Sequence, residues 1–283
     1  MGTVQRLWVL AAGAAAAAGC VSDGEVGSVN RPVITEVHVM GRVDGQALPQ
    51  VAFGAGAEVV TDALAVRDQR IIVVVNEELV GAERFADGSA QILCDGVAMP
   101  FVTEGRELNE WDAEALTLQL IPQYLRTRAV CTIALAEFVT DVDGNRVCAP
   151  PNGDPAQACD EGDTSLIQFT VEPFALTFTS PADSTTDVAA GETSVLLQFR
   201  PIAVESELNL THVRIVDQAG PTTHSKRVTS IADTQTIVVD VDQGLRPQTD
   251  YTVVIDGGDD GLFDITGGVL EASELTVSFS TQP

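Results

Sequence analysis

Residues 116–135, LTLQLIPQYLRTRAVCTIAL, and residues 236–255, TIVVDVDQGLRPQTDYTVVI, decide the fold when they are read against each other. Each has a short apolar run, a break carrying Leu-Arg, and a second apolar run. At a constant offset of 120, Leu125-Arg126 falls on Leu245-Arg246. Cys131, Ile133 and Leu135 then fall on Tyr251, Val253 and Ile255. Alternation with period two turns one face to a core and the other to solvent, which is the signature of a strand. The correspondence extends outward. Residues 166–171 fall on 276–281 at an offset of 110, with Phe169 on Phe279, and residues 71–75 fall on 195–199 at an offset of 124. The order is the same in both sets, so the chain reads as two related copies. The offsets place about ten extra residues between the last two strands of the first copy, within CAPPNGDPAQAC at 148–159.

No stretch beyond residue 32 repeats apolar residues at the helical spacing. Strands are expected at 33–40, 71–75, 116–121, 131–135, 166–171, 195–199, 237–241, 251–255 and 275–279, with Gly, Asp, Asn and Pro between them. Many short strands with turn residues between them imply an all-β protein of two tandem antiparallel β-sandwiches. The expected domains are 32–173, with the cysteine-bearing insertion, and 174–283. The connection Glu172-Pro173-Phe174 is short enough to limit their relative motion.

Phe178-Thr179-Ser180-Pro181-Ala182-Asp183-Ser184 with Asp187-Val188 resembles the opening of the bacterial Ig-like domain of the S-layer protein SbsA, a sandwich like fibronectin type III. Leu245-Arg246-Pro247-Gln248-Thr249-Asp250-Tyr251-Thr252-Val253 resembles that family's later corner. The resemblance implies a buried tyrosine whose hydroxyl bonds backbone a few residues upstream. The first copy has Cys131 where the second has Tyr251, and Asp141-Val142-Asp143-Gly144-Asn145 is similar to the family's turn before its last strand. The resemblance covers nearly all of residues 115–283 and is weaker over 32–114.

The N-terminus reads as an address. MGTVQRLWVLAAGAAAAAGC has Arg6, then an apolar run of thirteen from Leu7 to Gly19, too short to span a bilayer. Ala17-Ala18-Gly19-Cys20 resembles the lipobox of bacterial lipoproteins, with Ala17 where Leu is usual. The resemblance implies a signal peptide at 1–19, acylation of Cys20 and attachment to a membrane through lipid alone. Val21 stands where aspartate often marks inner-membrane retention, so the outer membrane is favoured. Residues 20–31 are the lipidated cysteine and a flexible tether rich in Gly, Ser, Asp and Asn.

The chain has 15 Lys and Arg against 41 Asp and Glu, a formal net charge of −26, and one lysine, Lys226. That balance excludes a nucleic-acid partner, which requires clustered positive charge. The hydrophobic share of 45% is enough for a packed core, so the acidity is not a sign of disorder.

Beside Cys20 there are four cysteines. In an oxidising compartment they read as two disulfides with three possible connectivities. Cys148–Cys159, closing the Pro-rich insertion, and Cys94–Cys131, joining two strands, are favoured. Asp141, Asp143 and Asn145 carry side-chain oxygens at alternate positions around Gly144, like the start of a calcium loop, but the full helical loop pattern is missing. A plain hairpin turn uses the same residues. Asp256, Asp259, Asp260 and Asp264 are a weaker set of the same kind. His38, His212 and His224 lie in no nucleophile or zinc-protease motif. Trp111, Phe101 and Tyr124 are candidates for a stacking or docking surface. The expected role is non-catalytic: a membrane-anchored envelope lipoprotein acting as a spacer or as an interaction module for an envelope protein or glycan. The alternatives are a calcium- or glycan-dependent adhesin and an enzyme with an interdomain cleft.

Overall fold

The computed structural model describes residues 31–43, 46–55, 57, 64–65, 69–102, 109–200, 207–218, 220–221, 224–231 and 234–283. The protein is all-β, with sheets packed as sandwiches. The first ten strands are β1 (Ile34–Val43), β2 (Gln46–Gly54), β3 (Leu64–Ala65), β4 (Ile71–Val75), β5 (Ala90–Cys94), β6 (Val97–Ala98), β7 (Glu110–Asp112), β8 (Thr117–Leu120), β9 (Val130–Leu135) and β10 (Gln168–Val171). The next nine are β11 (Ala175–Ser180), β12 (Thr185–Val188), β13 (Ser194–Arg200), β14 (Val213–Asp217), β15 (Gly220–Pro221), β16 (His224–Ile231), β17 (Thr234–Val241), β18 (Asp250–Asp256) and β19 (Glu274–Thr281).

Apart from β2, which pairs with β1 as the tenth strand of the first set, both sets run through the same pairings. In the first, β1-β4-β8-β7 forms one layer and β3-β10-β9-β5-β6 the other; in the second, the layers are β11-β13-β17-β16 and β12-β19-β18-β14-β15. Even the exceptional parallel pairs correspond, β3 with β10 and β12 with β19. Alternation explains the packing. Ile71, Val73 and Val75 of β4 are buried while Ile72 and Val74 are only half-buried, and Val195, Leu197 and Phe199 repeat this in β13. One apolar cluster runs from Ile34 to Val171 and a second from Phe174 to Phe279.

The structure corrects the constant offset of 120. It holds from Leu125 and Leu245 onward, both buried. In the preceding strands, the core-facing residues are Leu118 and Leu120 of β8 but Ile237, Val239 and Val241 of β17. Ile71 pairs with Leu120, and its counterpart Val195 pairs with Val239. Leu120 therefore corresponds to Val239, an offset of 119, with one extra residue before Leu245. A one-residue shift turns every side chain to the opposite face, so burial reveals what a gapless alignment conceals.

The copies also differ at their first strand. β1 pairs with β4 through Ile34, Glu36, Val37 and His38, with an irregularity between Ile34 and Glu36, and then meets β3 at Gly41. It thus crosses from one layer to the other and joins both into a ten-stranded sheet. In the second copy Pro181, which has no N–H to give a ladder, ends this run, and β11 and β12 serve the two layers separately. The helix-free expectation meets one short exception, α1 (Glu207–Thr211), too short to show a helical period.

Candidate functional site

The corner where β9 or β18 begins is tied in two chemically different ways. In the first copy Cys94 and Cys131 are direct partners across β5 and β9, with Cα atoms 4.0 Å apart, and are disulfide-bonded. In the second copy the partners at the same place are Asp217 and Tyr251. Tyr251 is 1% exposed and stacks on Phe279 at 5.6 Å between ring centres. Its hydroxyl oxygen accepts the Arg246 N–H at 2.8 Å. The Arg246 guanidinium pairs with the Asp217 carboxylate at 3.2 Å, and the Thr281 hydroxyl donates to the Arg246 carbonyl. Arg246 thus gathers three partners, while the first copy uses a covalent bond.

The other two cysteines, Cys148 and Cys159, are disulfide-bonded with Cα atoms 6.0 Å apart. Cys148 is fully buried and Cys159 half-buried. Cys20 lies outside the described residues, as do residues 1–30 as a whole, on which the expected signal peptide and nearly all of the expected tether fall.

The Asp141 turn is built around a buried carboxylate. Asp141 Oδ1 accepts the N–H groups of Asp143 at 2.9 Å and Asn145 at 2.7 Å. Asp141 Oδ2 accepts the Asn145 side-chain amide at 2.6 Å. Gly144, at φ 89°, allows the reversal, and its N–H donates to the Asp141 carbonyl. Asn145 thus turns a donor toward Asp141, where a calcium loop would aim its oxygen at a shared ion. Glu77 faces this turn. Partial burial, and then the charges of Asp141 and Asp143, push its carboxyl above the usual carboxylate range. Glu77 Oε1 is buried and makes no hydrogen bond. Among the described residues, no three or more His, Cys, Asp or Glu side chains are grouped to hold a metal.

The second acidic set is dispersed by its folded roles. Asp256 pairs with Arg214, at 2.6 Å to the guanidinium, and Asp259 and Asp260 are exposed. Asp264 is fully buried. Its Oδ1 accepts the Thr266 N–H and hydroxyl, both at 2.6 Å, and the Gly268 N–H at 3.0 Å. Its Oδ2 accepts the Thr127 hydroxyl of the first copy at 2.9 Å. Thr127 lies so close to Gly268 that a Cβ there would collide with its hydroxyl. Beside it, Arg128 and Glu271 approach to 3.6 Å at an exposed position. This junction is a structural feature that sequence reasoning missed, since its two halves lie 137 residues apart.

The remaining candidates are not brought together. His38 pairs with Glu36 at 2.8 Å on β1. The His212 carbonyl accepts the Asp256 N–H, and His224 starts the edge strand β16. Trp111, Phe101 and Tyr124 are half-buried against the first core and supply packing area there. Lys226 Nζ donates to the Val213 carbonyl at 2.8 Å, and partial burial pulls its ammonium below the usual lysine range.

The sequence model described as bacterial Ig-like domain matches residues 170–281, which takes in β11 through β19. No curated protein matches the chain. Among solved structures, "Anomalous substructure of Titin-A168169" is 12% identical, with 76% of this chain and 90% of that one covered and a TM-score of 0.25. "Crystal structure of domains A168-A170 from titin" is 10% identical, with 87% and 66% covered and a TM-score of 0.27. Neither score bears on the architecture described above.

Proposed function

We propose that the chain is a cell-envelope lipoprotein whose two Ig-like sandwiches, 32–173 and 174–283, form a non-catalytic spacer or interaction module. The observation that carries this reading is the buried Thr127–Asp264 contact across the junction. A fully buried carboxylate that takes all its donors from a loop and a neighbouring sandwich holds two bodies together. It leaves that carboxylate no open position for a substrate. The Ig-like match supports a structural or binding role, because such sandwiches present strands and loops and hold their interior as packed core.

The membrane part of the proposal rests on Ala17-Ala18-Gly19-Cys20. Acyl chains on Cys20 would hold the protein to the membrane, with the outer membrane favoured, and more than one chain makes such anchoring stable. Labelled palmitate is expected to enter the wild-type chain and to be lost in Cys20→Ala. Equal labelling of both would sink the anchor. Photo-crosslinking in intact cells, followed by capture, is expected to recover an envelope protein or glycan. Recovery of the free chain alone at every probe position would favour a pure spacer.

A further inference from the structure

The insertion that distinguishes the first copy closes on residues 31–35, at the start of β1. Pro32, Val33 and Ile34 are buried immediately after Arg31. On one side, the Pro32 carbonyl accepts the Cys148 N–H at 3.1 Å, and the Cys148 carbonyl accepts the Ile34 N–H at 2.9 Å. These bonds make a parallel bridge between Val33 and Cys148. On the other side stands Asn76, one residue past β4. Its Oδ1 accepts the Val33 N–H at 2.7 Å, its own N–H donates to the Val33 carbonyl at 3.1 Å, and its Nδ2 donates to the Arg31 carbonyl at 3.1 Å. The far end of the insertion reaches back as well, since Arg31 Nη1 donates to the Cys159 carbonyl at 3.1 Å. Between the two cysteines, Gly153 at φ 67° lies against the Thr35 carbonyl, where a Cβ would collide.

We infer that the disulfide-closed insertion is a clasp that keeps residues 31–35 seated when the chain is pulled from its N-terminal side. The source of that pull rests on the lipid-anchor reading; the clasp itself does not. The bonds run across the strand, so tension along it loads them together. Each is weak on its own in water, and resistance depends on their breaking as a group. The disulfide joins the two residues, Cys148 and Cys159, whose backbone grips opposite ends of Arg31–Ile34. An open insertion would let that grip fray from either end. The second copy begins with β11 directly after β10, so its first strand receives tension through a folded neighbour, and it has no corresponding insertion.

Hydrogen exchange on the full chain tests this. Cys148→Ser with Cys159→Ser is expected to speed exchange of the Val33 and Ile34 amides at least about tenfold, as local opening does, with β9 unchanged. Arg31→Ala, which removes only the bond to Cys159, is expected to give a smaller change at the same amides and carries the test if the double variant fails to fold. Cys94→Ser with Cys131→Ser is the control: it weakens the first copy as a whole, so it is expected to speed exchange in β9 at least as much as at Val33 and Ile34. Unchanged exchange at Val33 and Ile34 in the clasp variants, or acceleration of β9 in them to the same degree, would overturn the inference. Failure of palmitate labelling would remove lipid as the source of tension and leave the exchange result standing.

Discussion

The two sandwiches solve one mechanical problem with different chemistry at the same coordinates of the fold. Where β5 meets β9, Cys94 and Cys131 are covalently joined; where β14 meets β18, Asp217 and Tyr251 face each other and both are tied to Arg246. The corner needs a cross-tie, but the topology does not dictate which. The covalent version acts largely by restricting the unfolded chain and requires an oxidising compartment. The polar version acts in the folded state and works only while its hydroxyl, carboxylate and guanidinium are all in place. The first copy is further closed by β1, which crosses between layers, and the second stays open at Pro181. The copy next to the N-terminus is therefore the more tightly stitched.

The comparison is broken most forcefully at the disulfide. Cys94→Ser with Cys131→Ser is expected to destabilise the first copy by about 3–4 kcal/mol, read from Trp111 fluorescence during urea unfolding. A loss below about 1 kcal/mol would show that this corner needs no tie. Tyr251→Phe leaves the Arg246 N–H without its acceptor and is expected to destabilise the second copy by about 1–2 kcal/mol in the same titration, followed by circular dichroism. No change would mean that stacking on Phe279 alone holds the corner. Thr127→Val removes the hydroxyl that the first copy donates to Asp264 and is expected to cost about 1 kcal/mol. It should also split a joint calorimetric transition into two, and a transition that stays single would place the coupling elsewhere. The smallest effect belongs to Glu77→Gln. Because burial and Asp141 and Asp143 raise the Glu77 pKa, the folded state carries a penalty when that group is ionised. The penalty is present above the raised pKa and is relieved as pH falls through it. The variant is therefore expected to melt slightly higher at pH 7.5, with the advantage shrinking at pH 4, and equal melting at pH 7.5 would contradict this.

The parts of the fold legible in the sequence are those set by local alternation. Strands β4, β9 and β18 stand where period-two patterning puts them, because one face of each packs against a core. Cys131 reads as a tie because it replaces a corner residue, but the sequence leaves three connectivities open, and the structure joins Cys131 to Cys94. What the sequence hid depends on distance or facing. The extra residue between Val239 and Leu245 is invisible until burial shows which side chains point inward. The crossing of β1 hides because its partners, β3 and β4, are chosen by tertiary packing. Asp264 read as one of a loose acidic set because nothing near it in sequence announces Thr127. The Asp141 turn carried two meanings in sequence, and the folded hydrogen bonds show Asp141 working as the acceptor at the centre of a turn.

Lys226 has a practical consequence. It is the chain's only lysine, it sits on the edge strand β16, and its amine is half-buried and engaged with the Val213 carbonyl. Among side chains, reagents that bridge amines therefore sample one point, on the second copy, and pass over the rest of its surface. Lysine-directed proteases have a single internal target, and surface maps drawn with such chemistry would show a nearly blank molecule. The exposed side chains among the 41 Asp and Glu are the usable handles, so carboxylate-activating reagents are the ones suited to outlining this protein's neighbours.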